Sequence, residues 1–234
     1  MIEQPVVEQH PSHFKEVPTK DLILEEAYAM MCLSGIKKLS MEELAQRVGL
    51  SRAAIYLHFK DRHQLIMLVM KKMGMKDLDA LREIAHEKGS ATEKLRHCLR
   101  SHVMLKINRC RTNSISTDEL FGDFRQAYLE FRKEMILKTA GVLTEILVEG
   151  KINGEFEFEN AFESAESLIM MIQGFMPFSL TNEELGDTNL LQDRLDRVIE
   201  LGIKTLLPAQ IQKSAKLQPK RSLAHSRKNK QLKN

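Results

Sequence analysis

Repeatedly in this chain a Ser, Asp or Asn is followed three residues later by Glu or Gln at the head of an apolar pattern of helical period, and five such pairs stand out. The pairs are Ser40 with Glu43, Asp61 with Gln64, Ser90 with Glu93, Ser116 with Glu119 and Asn160 with Glu163. Each side chain of such a pair can satisfy a backbone N–H left open in the first turn of a helix, so the pattern marks helix starts. Reading from start to break, helices are expected at about 19–34, 41–48, 52–59, 62–87, 91–110, 117–121, 124–151, 160–178 and 190–207. The one alternating run, "GEFEFE" from Gly154 to Glu159, is too short and isolated to found a sheet and reads as an extended loop. The expected fold class is all-α.

The densest information lies between Leu39 and Leu65, "LSMEELAQRVGLSRAAIYLHFKDRHQL". Before it, Leu22, Ile23, Ala27, Met30 and Met31 recur at three- and four-residue spacing; within it Met41, Leu44, Ala45 and Val48 do the same. Gly49 supplies a left-handed turn after the second of these patterns, Leu50 fills the corner, and Ser51 caps a third helix whose Ile55 and Phe59 face inward. The three make a helix-turn-helix. The outward face of the third helix carries Arg52, Ala53, Ala54, Tyr56 and His58, and its two small residues allow close approach to a surface such as the floor of a major groove.

These residues resemble the tetracycline-repressor (TetR) family of bacterial transcription regulators. The likeness spans about fifty residues, "LEEAYAMMCLSGIKKLSMEELAQRVGLSRAAIYLHFKDRHQLIMLVM". It keeps Gly35 after the first helix, Ser40-Met41 opening the second, Val48-Gly49-Leu50-Ser51 at the turn, and Ile55-Tyr56-x-His58-Phe59. A "G-x-x-x-G-x-F" segment, Gly150 to Phe156, is also similar to a loop of that family. "KDRHQL" departs from the family's commoner Ser-Lys-Glu-x-Leu, with Arg62 at the Lys position. The resemblance implies an all-helical protein with an N-terminal DNA-binding domain and a helical effector-binding and dimerisation domain. Its expected limits are 1–17 for a disordered N-terminal segment, 18–64 for the helix-turn-helix domain, 65–208 for the second domain and 209–234 for a basic disordered tail.

The resemblance carries roles over residue by residue. Arg52 is expected to reach guanine bidentately or a phosphate, and Tyr56 to bind phosphate. His58 either touches DNA or caps its own helix. Ser40, Ser51, Lys60 and Arg62 are expected to contact the DNA backbone, which sets register without reading sequence. Charge agrees with DNA at the ends of the chain: residues from 213 onward hold eight Lys/Arg and no acid, whereas the middle is acidic.

The acidic middle is expected to dimerise and to hold an effector. The helices at 160–178 and 190–207 are apolar on more than one face, and the family's four-helix dimer interface implies a homodimer seam of Ala161, Leu168, Met171, Phe175, Leu191, Leu195, Val198, Ile199, Ile203 and Leu206. An apolar pocket for an unknown, largely apolar effector is expected from Leu99, Val103, Met104, Ile107, Phe124, Tyr128, Phe131, Met135, Ile169 and Phe175. Gly74 stands in the middle of the helix that joins the two domains and is read either as a hinge or as a packing point. No catalytic constellation is legible, and no cofactor or metal is expected: Cys98 and His102 share a helix face, but two ligands do not make a site. Cys110 beside Arg109 and Arg111 is a candidate oxidant sensor. The apolar runs are far short of the roughly 20 residues a membrane span needs, and the N-terminus lacks the apolar core of a signal peptide, so no membrane partner and a cytoplasmic location are expected.

The sequence therefore points to a transcriptional regulator, a repressor released from double-stranded, palindromic operator DNA by a small molecule. A second reading keeps the fold and the DNA but replaces the effector by a protein partner.

Overall fold

The computed structural model describes residues 19–112, 125–177, 180 and 186–209, with the side chains of 110–112 left aside. The expected segments at 1–17 and 117–121 and the basic run from 213 lie outside these residues. Eight α-helices are described: α1 Thr19–Ser34, α2 Met41–Arg47, α3 Arg52–His58, α4 Arg62–Ala85, α5 Ala91–Thr112, α6 Arg125–Ile152, α7 Ala161–Met171 and α8 Thr188–Leu206. No strand occurs among the described residues, and no described helix is long and apolar enough to cross a membrane.

Four of the five capping pairs form where they were read, and Ser116 with Glu119 lies outside the described residues. Ser40 accepts from Glu43 N at 3.3 Å, Ser51 from Ala54 N at 3.1 Å and Asp61 from Gln64 N at 2.7 Å. Gln64 answers Asp61 by accepting from Lys60 N at 2.7 Å, and Ser90 and Glu93 cap one another reciprocally. Asn160 caps α7. Asp187 starts α8 two residues before the expected point by accepting from Leu190 N. The helix expected to run through 160–178 stops at Met171. A 3₁₀ turn at Gln173–Phe175 follows, and Met176 is extended, as the residue before a proline must be because the Pro177 ring clashes with a helical predecessor.

Two cores divide the chain. In the first, Ile23, Ala27, Met30 and Met31 of α1 meet Leu44 of α2, Ile55 and Phe59 around α3, and Leu65, Ile66 and Val69 of α4. Gly49 turns with φ +71°, and Leu50 packs on this core, so the corner between α2 and α3 is closed as its residues require. Because Val69 belongs to the first core and Leu78 to the second, packing draws the border inside α4, beyond residue 64.

The second core packs α4 to α8 around Leu81, Leu95, Leu99, Val103, Leu143, Leu147, Leu195 and Ile199. Here the loop "GEFEFE" is extended and acts as a brace. Glu155 accepts from Ala91 N at 2.9 Å and Thr92 N at 3.0 Å, closing the start of α5, and Phe156 lies flat on Gly150, where a Cβ would collide with its ring. Lys94 binds Glu149 at 2.8 Å, and Arg96 with Glu200 and Arg100 with Asp196 tie α5 to α8.

Candidate DNA-reading surface and cavity

α3 is held from behind and open in front. Ile55 and Phe59 are buried, while Arg52, Ala53, Tyr56, Leu57 and His58 are exposed and Ala54 is half-buried. The Arg52 guanidinium lies 5.7 Å from the centre of the Tyr56 ring, so the two side chains share one patch. Ser40 and Ser51 are exposed, and because each uses its oxygen as an acceptor for a cap, the hydroxyl proton remains a donor. Lys60 is exposed as well. Leu57, 86% exposed on the same helix, was missed in the sequence because an apolar residue beside Ile55 reads as core.

Arg62 does something other than expected. Its Nε donates to Leu39 O at 2.9 Å and a second guanidinium nitrogen to Ile36 O. The side chain staples the connection between α1 and α2, whose carbonyls have no helical partner there, instead of projecting its charge as a phosphate contact requires.

Beneath this unit a cavity of about 180 Å³ opens between the two cores. α1 contributes Tyr28 and Met31; α4 contributes Val69, Met70, Met73, Gly74, Asp77, Leu78 and Leu81; α5 contributes His102, Lys106 and Arg109. α6 closes it with Tyr128, Phe131, Arg132, Met135, Ile136 and Thr139, and Gln173, Met176 and Pro177 lie at the end of α7. Most of this wall is apolar, with one ionic cluster. Asp77, 6% exposed, is gripped by both Arg109 terminal nitrogens, one of them 3.1 Å from Oδ2, and Lys106 Nζ lies 3.8 Å from that oxygen. Lys106 also donates to His102 O at 2.9 Å.

Burial sets the protonation of the cluster. It pushes the Lys106 ammonium down to about 8, Asp77 pulling upward and Arg109 adding to the fall. Burial, helped by the Lys106 charge, also holds His102 well below its ordinary range, so the imidazole is neutral. For Arg109, burial is outweighed by the hydrogen bonds and charge of Asp77, with Tyr28 in hydrogen-bonding reach, and the guanidinium rises above its ordinary range.

Residues 23–67, from within α1 to the start of α4, match the model of the "bacterial regulatory proteins, tetR family". The N-terminal unit is that of the tetR family. The chain is a DNA-binding transcriptional regulator and not an enzyme. Among curated proteins it is 27% identical over 138 residues to the "Fatty acid metabolism regulator protein" of Bacillus subtilis (strain 168), covering 58% of this chain and 69% of that one. Among solved structures, a transcriptional regulator from Cytophaga hutchinsonii matches 80% of this chain and 98% of its own, with TM-score 0.67 and 21% identity. The fatty acid degradation regulator FadR from Bacillus halodurans matches 81% and 96%, with TM-score 0.54 and 18% identity. These two share the fold.

In the second core the expected pocket set is corrected by the packing. Tyr128, Phe131 and Met135 line the cavity. Leu99, Val103, Met104, Ile107 and Ile169 are buried in the second core instead, Phe175 packs against it, and Phe124 lies outside the described residues. Helical period shows that α5 has an inward face but not which part of it meets a void. One signal for the true wall was present: Asp77 interrupts the apolar stripe Met73, Leu78, Leu81 of α4, and Lys106 and Arg109 stand one turn apart on α5.

The expected dimer seam is corrected likewise. Leu168, Leu191, Leu195, Ile199, Ile203 and Leu206 are buried in the protomer's own core, so they have no surface to offer. Ala161, Phe175 and Val198 are half-buried against that core; Met171 alone of the ten is exposed. The apolar residues that α7 and α8 present outward are Phe162, Met170, Met171, Leu190 and Leu201. Gly202 lets the two helices close: a Cβ there would stand 2.7 Å from a Leu168 methyl.

Gly74 is a packing point. A Cβ on it would meet Phe131 Cζ at 2.9 Å and Met135 Sδ at 3.2 Å, so α6 leans on the bare backbone of α4 at the cavity wall. Cys98 donates to Leu81 O at 3.4 Å, and burial pushes its thiol up to about 12, which suits a packing residue rather than a metal ligand. The Cys110 side chain lies outside the described residues.

Proposed function

We propose that this regulator is a homodimeric repressor, acting in the cytoplasm, that holds a palindromic operator through two copies of α3 and lets go when a small, largely apolar molecule enters the cavity. The observation that carries the reading is the cavity's position: its wall includes Tyr28 and Met31 of α1 and Val69 and Met70 of α4, residues that lie in or against the core on which α3 rests. A molecule lodged there is in contact with the base of the reader. This favours an effector over a purely protein-docking role, and the likeness to a protein named for fatty acid metabolism supports a lipid-like one.

On the DNA, Arg52 reads a base edge or a phosphate, Ala53 and Ala54 allow close approach, Tyr56 and His58 reach the backbone, and Ser40, Ser51 and Lys60 add donors around α3. Leu57 joins this set as an apolar contact for a thymine methyl. Arg62 does not, because it is turned inward. Two protomers joined across the outward side of α7 and α8, through Met170, Met171 and Leu201, bring two α3 helices to one face, as a palindrome requires.

Selection of bound sequences from random duplex DNA with the full chain tests this directly. The expected product is a palindrome with half-sites about one helical turn apart, bound by a dimer in sedimentation. A single non-repeated site bound by a monomer rejects the homodimer and the palindrome together.

A further inference from the structure

Resting on the reading of this cavity as the effector site, we infer that it is built for an apolar molecule ending in an anionic head group, and that the head group takes Lys106 and Arg109 away from Asp77. The charges of the described wall are three cations, Lys106, Arg109 and Arg132, against the single carboxylate of Asp77, on a surface otherwise mostly apolar. A cationic ligand meets that excess with repulsion. A neutral one shields the half-buried Lys106 from water and adds no acceptor to the His102 carbonyl it already uses, which is costly for a charge. An anion supplies Lys106 with a charged acceptor closer than the 3.8 Å of Asp77, and the apolar wall takes its tail.

The exchange is feasible because Asp77 itself shows what the cluster binds. Arg109 grips a carboxylate through two nitrogens, and Lys106 stands 3.8 Å from the same group, too long for a good hydrogen bond. Replacing one carboxylate by another conserves the charge-assisted bonds, so entry costs little beyond turning Asp77 out.

Turning it out has a structural consequence. Asp77 belongs to α4, Arg109 to α5, and Arg109 also reaches Tyr28 of α1. The cluster is thus a clasp between the two helices that support the reader and the helix that anchors the body. A head group on Arg109 opens the clasp at the place where α1 and α4 are held, which couples occupancy to the setting of α3.

The experiment is calorimetric titration of the full chain with decanoate and with decanol, which share a tail and differ in the head. Decanoate is expected to bind at least about tenfold more tightly. Asp77→Asn is expected to strengthen decanoate binding several-fold, since it weakens the internal competitor; a merely structural Asp77 would move binding the other way or not at all. The double variant Asp77→Asn with Arg109→Gln keeps hydrogen-bonding partners in the clasp and leaves Lys106 as its one charge, and there the preference for decanoate is expected to fall several-fold. Equal binding of both probes, or Asp77→Asn weakening decanoate, overturns the head-group inference while leaving the cavity as an effector site. Decanol binding with no decanoate binding does the same. Binding of neither probe removes both readings.

Discussion

The reader and the cavity differ in how far apart in the chain their parts lie. The α3 surface is made by seven consecutive residues capped by their own neighbour Ser51, with Ile55 and Phe59 as anchors. The cavity joins Tyr28, Asp77, Arg109 and Phe131, drawn from four helices. A surface made by one short helix tolerates change without loss of the fold; a site made by convergence carries stability and function in the same side chains. Function can therefore be stripped from α3 alone, whereas the cluster in the cavity answers in both measurements.

The largest expected effect comes from breaking that cluster on one side. Arg109→Ala leaves the 6%-exposed Asp77 without its bidentate partner and is expected to cost on the order of 3 kcal/mol of stability, read by urea denaturation. A loss below about 1 kcal/mol would mean that Lys106 alone satisfies Asp77. On the reader, Arg52→Ala is expected to leave stability within about 0.5 kcal/mol, since the side chain is exposed, yet to weaken operator binding by about 1–3 kcal/mol. Tyr56→Phe is expected to weaken operator and random DNA alike, which distinguishes a phosphate contact from base reading.

A third comparison uses pH. The His102 imidazole is kept neutral by burial and the Lys106 charge, so its folded pKa lies below the unfolded value of about 6.5. Above that pH both states are neutral and the group contributes nothing. As pH falls below it the unfolded chain takes up a proton that the folded chain refuses, and stability is lost by up to about 1.4 kcal/mol per pH unit. His102→Gln is expected to remove this component from a plot of stability against pH between about 6.5 and 5; an unaltered slope would mean that the folded imidazole is protonated.

The smallest expected change in stability is at Gly74. Alanine gains about 1 kcal/mol in helix propensity but sets its methyl against Phe131 and Met135, so the net effect on stability is expected to stay within about 1 kcal/mol. Effector affinity is expected to fall measurably, because the methyl stands in the cavity wall. Unchanged affinity would place the bound molecule away from α6.

Much of the fold was legible because its signals are local. Ser40, Asp61, Ser90 and Asn160 name helix starts through bonds spanning two or three residues, and Gly49 needs only its own φ of +71° to end α2. The outward set on α3 follows from the same short reach, since Ile55 and Phe59 settle which side is buried. Arg62 escaped this reading because its acceptors, the carbonyls of Ile36 and Leu39, lie more than twenty residues back along the chain.

By itself the sequence determined most of the helices, their order, the turn between α2 and α3 and the chemistry of the outward face of α3. Only the tertiary structure decided which of the two apolar faces of α7 and α8 serves the protomer, and which part of α5 faces a void instead of Leu143 and Leu147. The physical reason is that a hydrophobic period states that a face must be covered, and not by what. Leu195 and Leu201 sit on one helix with equal apolar character; Leu195 is buried in the second core and Leu201 is 58% exposed, because the helix turns only one of its faces to that core.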